Sequence, residues 1–122
     1  MTIRLATKIA HESKFRRARV GAVIVRGNRV LAVGCNRIGF CHYLPNRAYP
    51  CSVHAEQQAI LQLLKSRRQD ELIGATIYVS RVGKGGECRL ARPCKHCANL
   101  IISVGINRVV FTTNIGVAEY ET

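Results

Sequence analysis

Two β-branched runs, ATIYVS (Ala75–Ser80) and RVVFTT (Arg108–Thr113), flank a segment that reads as helix from Pro93 to about Val104. A helix between two strands of one sheet makes those strands parallel, because a hairpin cannot join them. Only nine residues, NIGVAEYET, follow Thr113. A second parallel crossover needs about a dozen or more. Any fifth strand must therefore return antiparallel, and no C-terminal helix can form.

The upstream sequence fits around that unit. TIRLATKIAHESK places Leu5, Ala6, Ile9 and Ala10 on one helical face. VGAVIV (Val20–Val25) and RVLAVGCN (Arg29–Asn36), separated by Arg26-Gly27-Asn28, form a hairpin signal. Residues 37–52, with glycine, prolines, aromatics and two cysteines, read as a long loop. A second helix is expected from about Val53 to Lys65, with Ala59, Ile60, Leu63 and Leu64 facing inward. RVGKGGECRLAR, just before Pro93, is a Gly-rich basic excursion. The order α-β-β-α-β-α-β implies an α/β sandwich. With 122 residues and neither repeat nor linker, residues 1–122 are expected to form a single domain.

No stretch approaches the length of a membrane span, and the first residues lack the apolar core of a signal peptide. A cytoplasmic protein with no membrane partner is the expectation. In that reducing setting six cysteines point to thiols or metal rather than disulfides. Nineteen Lys and Arg against seven Asp and Glu give a formal charge of +12, a surface that attracts phosphates and polyanions.

The chemistry concentrates in SVHAEQQAI (Ser52–Ile60) and RPCKHCANLI (Arg92–Ile101). Cys94 and Cys97, three apart, project from one face of a helix's first turn. His54 opens the other helix. Three such ligands make the open kind of zinc site, with a fourth position left to water. Both helix N-termini would point at the metal and favour thiolates. Zn²⁺ brings the pKa of its water to roughly 7, and Glu56, two residues past His54, is placed to shuttle the proton.

HAE (His54–Glu56) with PCKHC (Pro93–Cys97) resembles the zinc-dependent cytidine and deoxycytidylate deaminase family, whose signature is H-x-E…P-C-x-x-C. The VGAVIV hairpin, GCN (Gly34–Asn36) and GINRVVF (Gly105–Phe111) extend the likeness over most of the chain. The resemblance implies a three-layer α/β/α cytidine deaminase-like sandwich with a mixed sheet and an antiparallel terminal strand. It implies hydrolytic deamination by zinc-activated water, with His54, Cys94 and Cys97 as metal ligands and Glu56 as the catalytic residue. Asn36 would bind the sugar or base, and the Ala55 backbone N–H the base edge. Arg92, among the basic residues bordering the metal helix, is a candidate phosphate contact. A homo-oligomer is also expected, as family members often assemble. The chain departs from the family pattern where residues 81–92 intervene before Pro93, and where Arg92 replaces the usual acidic or small residue; both bear on the substrate.

Other readings stand beside this one. A deoxycytidylate-type nucleotide explains a few basic residues near the pocket. Single-stranded DNA or RNA, with cytosine or adenine as target, explains the whole +12 better. Cys51 as a fourth ligand would close the zinc site and leave a non-catalytic nucleic-acid-binding module. Cys35, Cys41, His42, Cys51 and Cys88 could hold a second, structural zinc or be free thiols. Phe40, Tyr43 and Tyr49 could stack on a base or pack their loop. His96 reads as facing solvent or the surroundings of the metal rather than the metal itself, because its helical position turns it away, and His11 as part of a solvated helix face.

Overall fold

The computed structural model describes residues 2–14, 18–40 and 50–122, with backbone alone at 38–40 and 50–52. Helix α1 spans Thr2–His11, and the expected hairpin follows as β1 (Arg19–Arg26) and β2 (Arg29–Cys35). Gly27, at φ 61°, takes the left-handed conformation that this tight turn requires. A register shift between Ile24 and Val25 marks a bulge next to the turn.

The expected loop at 37–52 needs correcting at its two ends. Arg37–Phe40 (β3) and Pro50–Val53 (β4) pair antiparallel, Arg37 opposite Val53 and Phe40 opposite Pro50. Strands this short carry too little periodicity to stand out from glycine and proline neighbours. Helix α2 accordingly begins at Ala55 rather than Val53 and ends at Lys65. Ala59, Ile60 and Leu63 are buried as expected, but Leu64 is 38% exposed at the helix end.

A 3₁₀ turn (Gln69–Leu72) leads into β5 (Thr76–Val82). The Gly-rich excursion is not irregular throughout: β6 (Cys88–Arg89) folds back on β5, Arg81 opposite Arg89 and Val82 opposite Cys88. Helix α3 (Lys95–Ser103), β7 (Arg108–Thr113) and β8 (Gly116–Glu121) complete the described elements. β5 and β7 are parallel, in register from Thr76–Arg108 to Val79–Phe111. β8 returns antiparallel on β7, as expected. The sheet runs β2–β1–β5–β7–β8, with β6 attached to β5.

Two glycines show why the helices take opposite faces. A Cβ on Gly21 would lie 2.2 Å from the Ala6 carbonyl oxygen of α1. One on Gly34 would lie 2.7 Å from the Ala55 carbonyl oxygen of α2. Gly34 pairs with Ala22, the next residue along from Gly21, and adjacent strand residues face opposite sides. Hence α1 covers one face, α2 and α3 the other, and the molecule is a three-layer α/β/α sandwich with a mixed sheet. Ile24, Ile77, Val79 and Val109 bury against Ile60, Leu63 and Ile101 in the α2–α3 layer. No described helix is long and apolar enough to cross a membrane.

Candidate active site

His54 is the N-cap of α2 and Cys94 the N-cap of α3. Cys94 thus stands just outside the helix rather than in its first turn, and Pro93 precedes the cap. The consequence for the site is favourable: the Cys94 sulfur accepts from the Cys97 backbone N–H at 3.5 Å, and so points along the helix mouth toward Cys97. On α2 the Gln57 side chain accepts from the His54 backbone N–H at 3.0 Å, fixing the start of the helix and with it the imidazole.

His54 Nδ1 lies 3.2 Å from Cys97 Sγ and 3.6 Å from Cys94 Sγ. All three donor atoms fall within 4.8 Å of one another, the one such group found among the described residues. One imidazole and two sulfurs, converging from two helix mouths, match the donor set of an open zinc site. Burial pushes the Cys97 thiol well up, with the carboxyl of Glu56 and with Cys94 adding to the effect. Without a cation this sulfur resists ionising, and a bound divalent metal would reverse that balance. Burial likewise lowers the pKa of His54, favouring the neutral ring that a metal needs.

A cavity of about 270 Å³ opens on the group. His54, Ala55, Glu56, Cys94, Asn36 and Arg92 all line it, so the residues singled out from sequence come together at one place. Cys97 sits behind them, buried. Glu56 is 5% exposed, and burial pushes its carboxyl up to about 7. Ala55 is the first residue of α2, where backbone N–H groups have no partner within the helix. Asn36 is held from several sides: its Oδ1 accepts from Val20 N at 2.9 Å and Ser13 Oγ at 2.7 Å, and its Nδ2 donates to the Ala18 carbonyl.

Arg92 reaches the cavity edge with its guanidinium 5.2 Å from the Tyr120 ring and 5.9 Å from that of Phe111. The two rings pack together at 6.1 Å. Ala18, Val20, Arg81, Leu90 and Ala91 complete the wall, and apart from the basic Arg81 none of them carries a local signal in the sequence. A second cavity of about 470 Å³ shares Arg81 and Leu90 with the first and adds Lys84, Arg89 and Glu87. The basic excursion therefore borders the site, as its position before the metal helix suggested. Cys41, His42, Tyr43 and Tyr49, and the side chains of Phe40 and Cys51, lie outside the described residues, and with them the closed zinc site and most of the second one.

Comparison with known proteins agrees with this geometry. Residues 1–113 match the model of the cytidine and deoxycytidylate deaminase zinc-binding region. The chain is 35% identical to the deoxycytidylate deaminase of Mycobacterium phage D29, covering 88% of each. Against human deoxycytidylate deaminase the identity is 30%, over 86% of this chain and 58% of the human one. Two solved structures share the fold. The dCMP deaminase of cyanophage S-TIM5, in complex with dCMP and dUMP, superposes with a TM-score of 0.66 at 22% identity, over 90% of this chain and 76% of that one. The cytidine deaminase of Burkholderia pseudomallei gives 0.68 at 23% identity, over 98% and 88%. The chain belongs to the cytidine and deoxycytidylate deaminase family of zinc-dependent hydrolases.

Proposed function

We propose that this chain hydrolyses the exocyclic amine of cytosine in a deoxycytidylate-type nucleotide, releasing uracil nucleotide and ammonia. The observation that carries the reading is the convergence of His54 Nδ1, Cys94 Sγ and Cys97 Sγ within 4.8 Å, on a cavity whose wall also contains Glu56. Those three residues would hold Zn²⁺, which when bound supplies a water acidic enough to ionise near neutral pH. Glu56 carries the protons. Its carboxylate takes one from the attacking water and passes it to the ring nitrogen, then takes the second from the hydroxyl now on the ring carbon and gives it to the departing amine, leaving a ring carbonyl and ammonia. A buried carboxyl that titrates near neutrality can do both halves of that task.

The remaining wall residues bind and orient. Asn36 contacts the sugar or base, and the Ala55 backbone N–H, at the positive end of α2, meets the base edge. Arg92 and Arg81 bring positive charge to the cavity rim, suited to a phosphate. Leu90, 51% exposed at that rim, offers apolar surface to the ring.

The +12 balance and the basic second cavity favour one other substrate, a cytosine or adenine in single-stranded DNA or RNA. A panel of nucleosides, nucleotides and oligonucleotides separates the two. Purified protein should carry about one zinc per chain and convert dCMP to dUMP with release of ammonia. Inactivity on every free nucleotide, with salt-sensitive deamination of an oligonucleotide, would overturn the nucleotide reading in favour of the strand.

A further inference from the structure

The parallel ladder between β5 and β7 stops at Val79–Phe111, and the next residue of β7 replaces it with a side chain. Thr112, 1% exposed, accepts from the Arg81 backbone N–H at 3.1 Å and donates to the Arg89 carbonyl at 2.8 Å through one hydroxyl. Arg81 and Arg89 are themselves cross-strand partners in the β5–β6 hairpin. The Thr112 carbonyl also accepts from Ala91 N at 2.9 Å. One residue that does not line the cavity thus ties down both strands of the excursion and the residue before Arg92.

We propose that Thr112 is a positioning residue that sets affinity for the phosphate-bearing part of the substrate while leaving the proton chemistry untouched. This rests on the nucleotide reading of the cavity given above. The segment it holds supplies Arg81, Leu90, Ala91 and Arg92, one wall of the cavity. Glu56 and Cys97 lie on α2 and α3 and His54 and Cys94 cap them, and none of the hydrogen bonds of Thr112 among the described residues goes to these four. The role needs a hydroxyl, because only a group that donates and accepts at once can bridge an N–H and a carbonyl. Valine matches threonine in shape and strand preference but leaves both backbone groups unpaired. Serine keeps the bridge.

The test compares the zinc-loaded 122-residue chain as wild type, Thr112→Val and Thr112→Ser in steady-state turnover of dCMP, with amide hydrogen exchange at Arg81 read alongside. Thr112→Val should raise KM about 10-fold, as one lost hydrogen-bond bridge implies, and hold kcat within about twofold. Exchange at the Arg81 amide should speed up in the same variant. Thr112→Ser should return both to within about threefold of wild type. A fall in kcat as large as the rise in KM, an unmoved KM, or serine behaving like valine overturns the positioning role. Wild-type turnover is measured first: its absence on dCMP defeats the functional reading and this inference together, whereas turnover insensitive to Thr112→Val defeats the inference alone.

Discussion

The metal corner and the opposite wall of the same cavity are built in different ways. His54, Cys94 and Cys97 come from two helix mouths, where capping fixes the side chains within a few residues of their own sequence. The wall of Arg81, Leu90, Ala91 and Arg92 lies on no helix. It is a two-stranded excursion pinned by Thr112 and by the rings of Phe111 and Tyr120, residues at least 19 positions further along the chain. The metal corner is therefore held by local motif and the opposite wall by tertiary contact. Substitutions in the two regions should fail differently.

The largest effect belongs to the metal corner. Cys97→Ala should strip zinc from the purified protein and reduce turnover to background; metal analysis showing full occupancy would mean that the sulfur is not a ligand. Glu56→Gln comes next. It should retain zinc and lose about 10³-fold in kcat, the scale of a general acid–base contribution. Activity within tenfold of wild type would remove Glu56 from the reaction.

The same pair of proteins gives a smaller, thermodynamic effect when both are freed of metal. Burial raises the Glu56 pKa from 4.5 to about 7, so across that interval the unfolded chain sheds a proton that the folded chain keeps. Folded stability contributed by this group therefore falls as pH rises, and is lowest above the folded pKa. Relative to Glu56→Gln, wild type should lose up to about 3 kcal/mol between pH 4.5 and 7 in denaturant melts. Parallel curves would mean the carboxyl is better solvated than its burial implies. Smallest of all is Tyr120→Leu, which keeps an apolar contact but removes a ring from beneath Arg92. A rise in KM of about threefold, matching one exposed cation–π contact, is expected with kcat unchanged. A matching drop in kcat would show that β8 supports the metal corner as well.

The contrast also explains what the sequence made legible. HAE and PCKHC lie at helix starts marked by their own residues, so the side chains that converge on the cavity could be named in advance. The β5–α3–β7 crossover was equally plain, because strand composition and helix period alternate there over long runs. β3, β4 and β6 were missed because two to four residues paired across a turn leave no periodic trace. Leu64 was misplaced because helical period says which face a residue takes, not where the sheet beneath it ends. Thr112 and Tyr120 carried no signal at all: one is a strand threonine and the other a strand tyrosine until the fold brings residues 81–92 against them.

Asn36 has one consequence of its own. Its side-chain oxygen faces the Val20 N–H and the Ser13 hydroxyl, whose one hydrogen is shared with the Asn36 backbone carbonyl at 2.8 Å, and one of the two side-chain amide hydrogens goes to Ala18. What it can still present to a guest is a single hydrogen. A visiting group must bring a lone pair to that spot, and a moiety that carries only hydrogens finds nothing there to accept them. In its proposed role the asparagine reads one way only, with a polarity set by Ser13 behind the cavity and by Val20 and Ala18 in its wall.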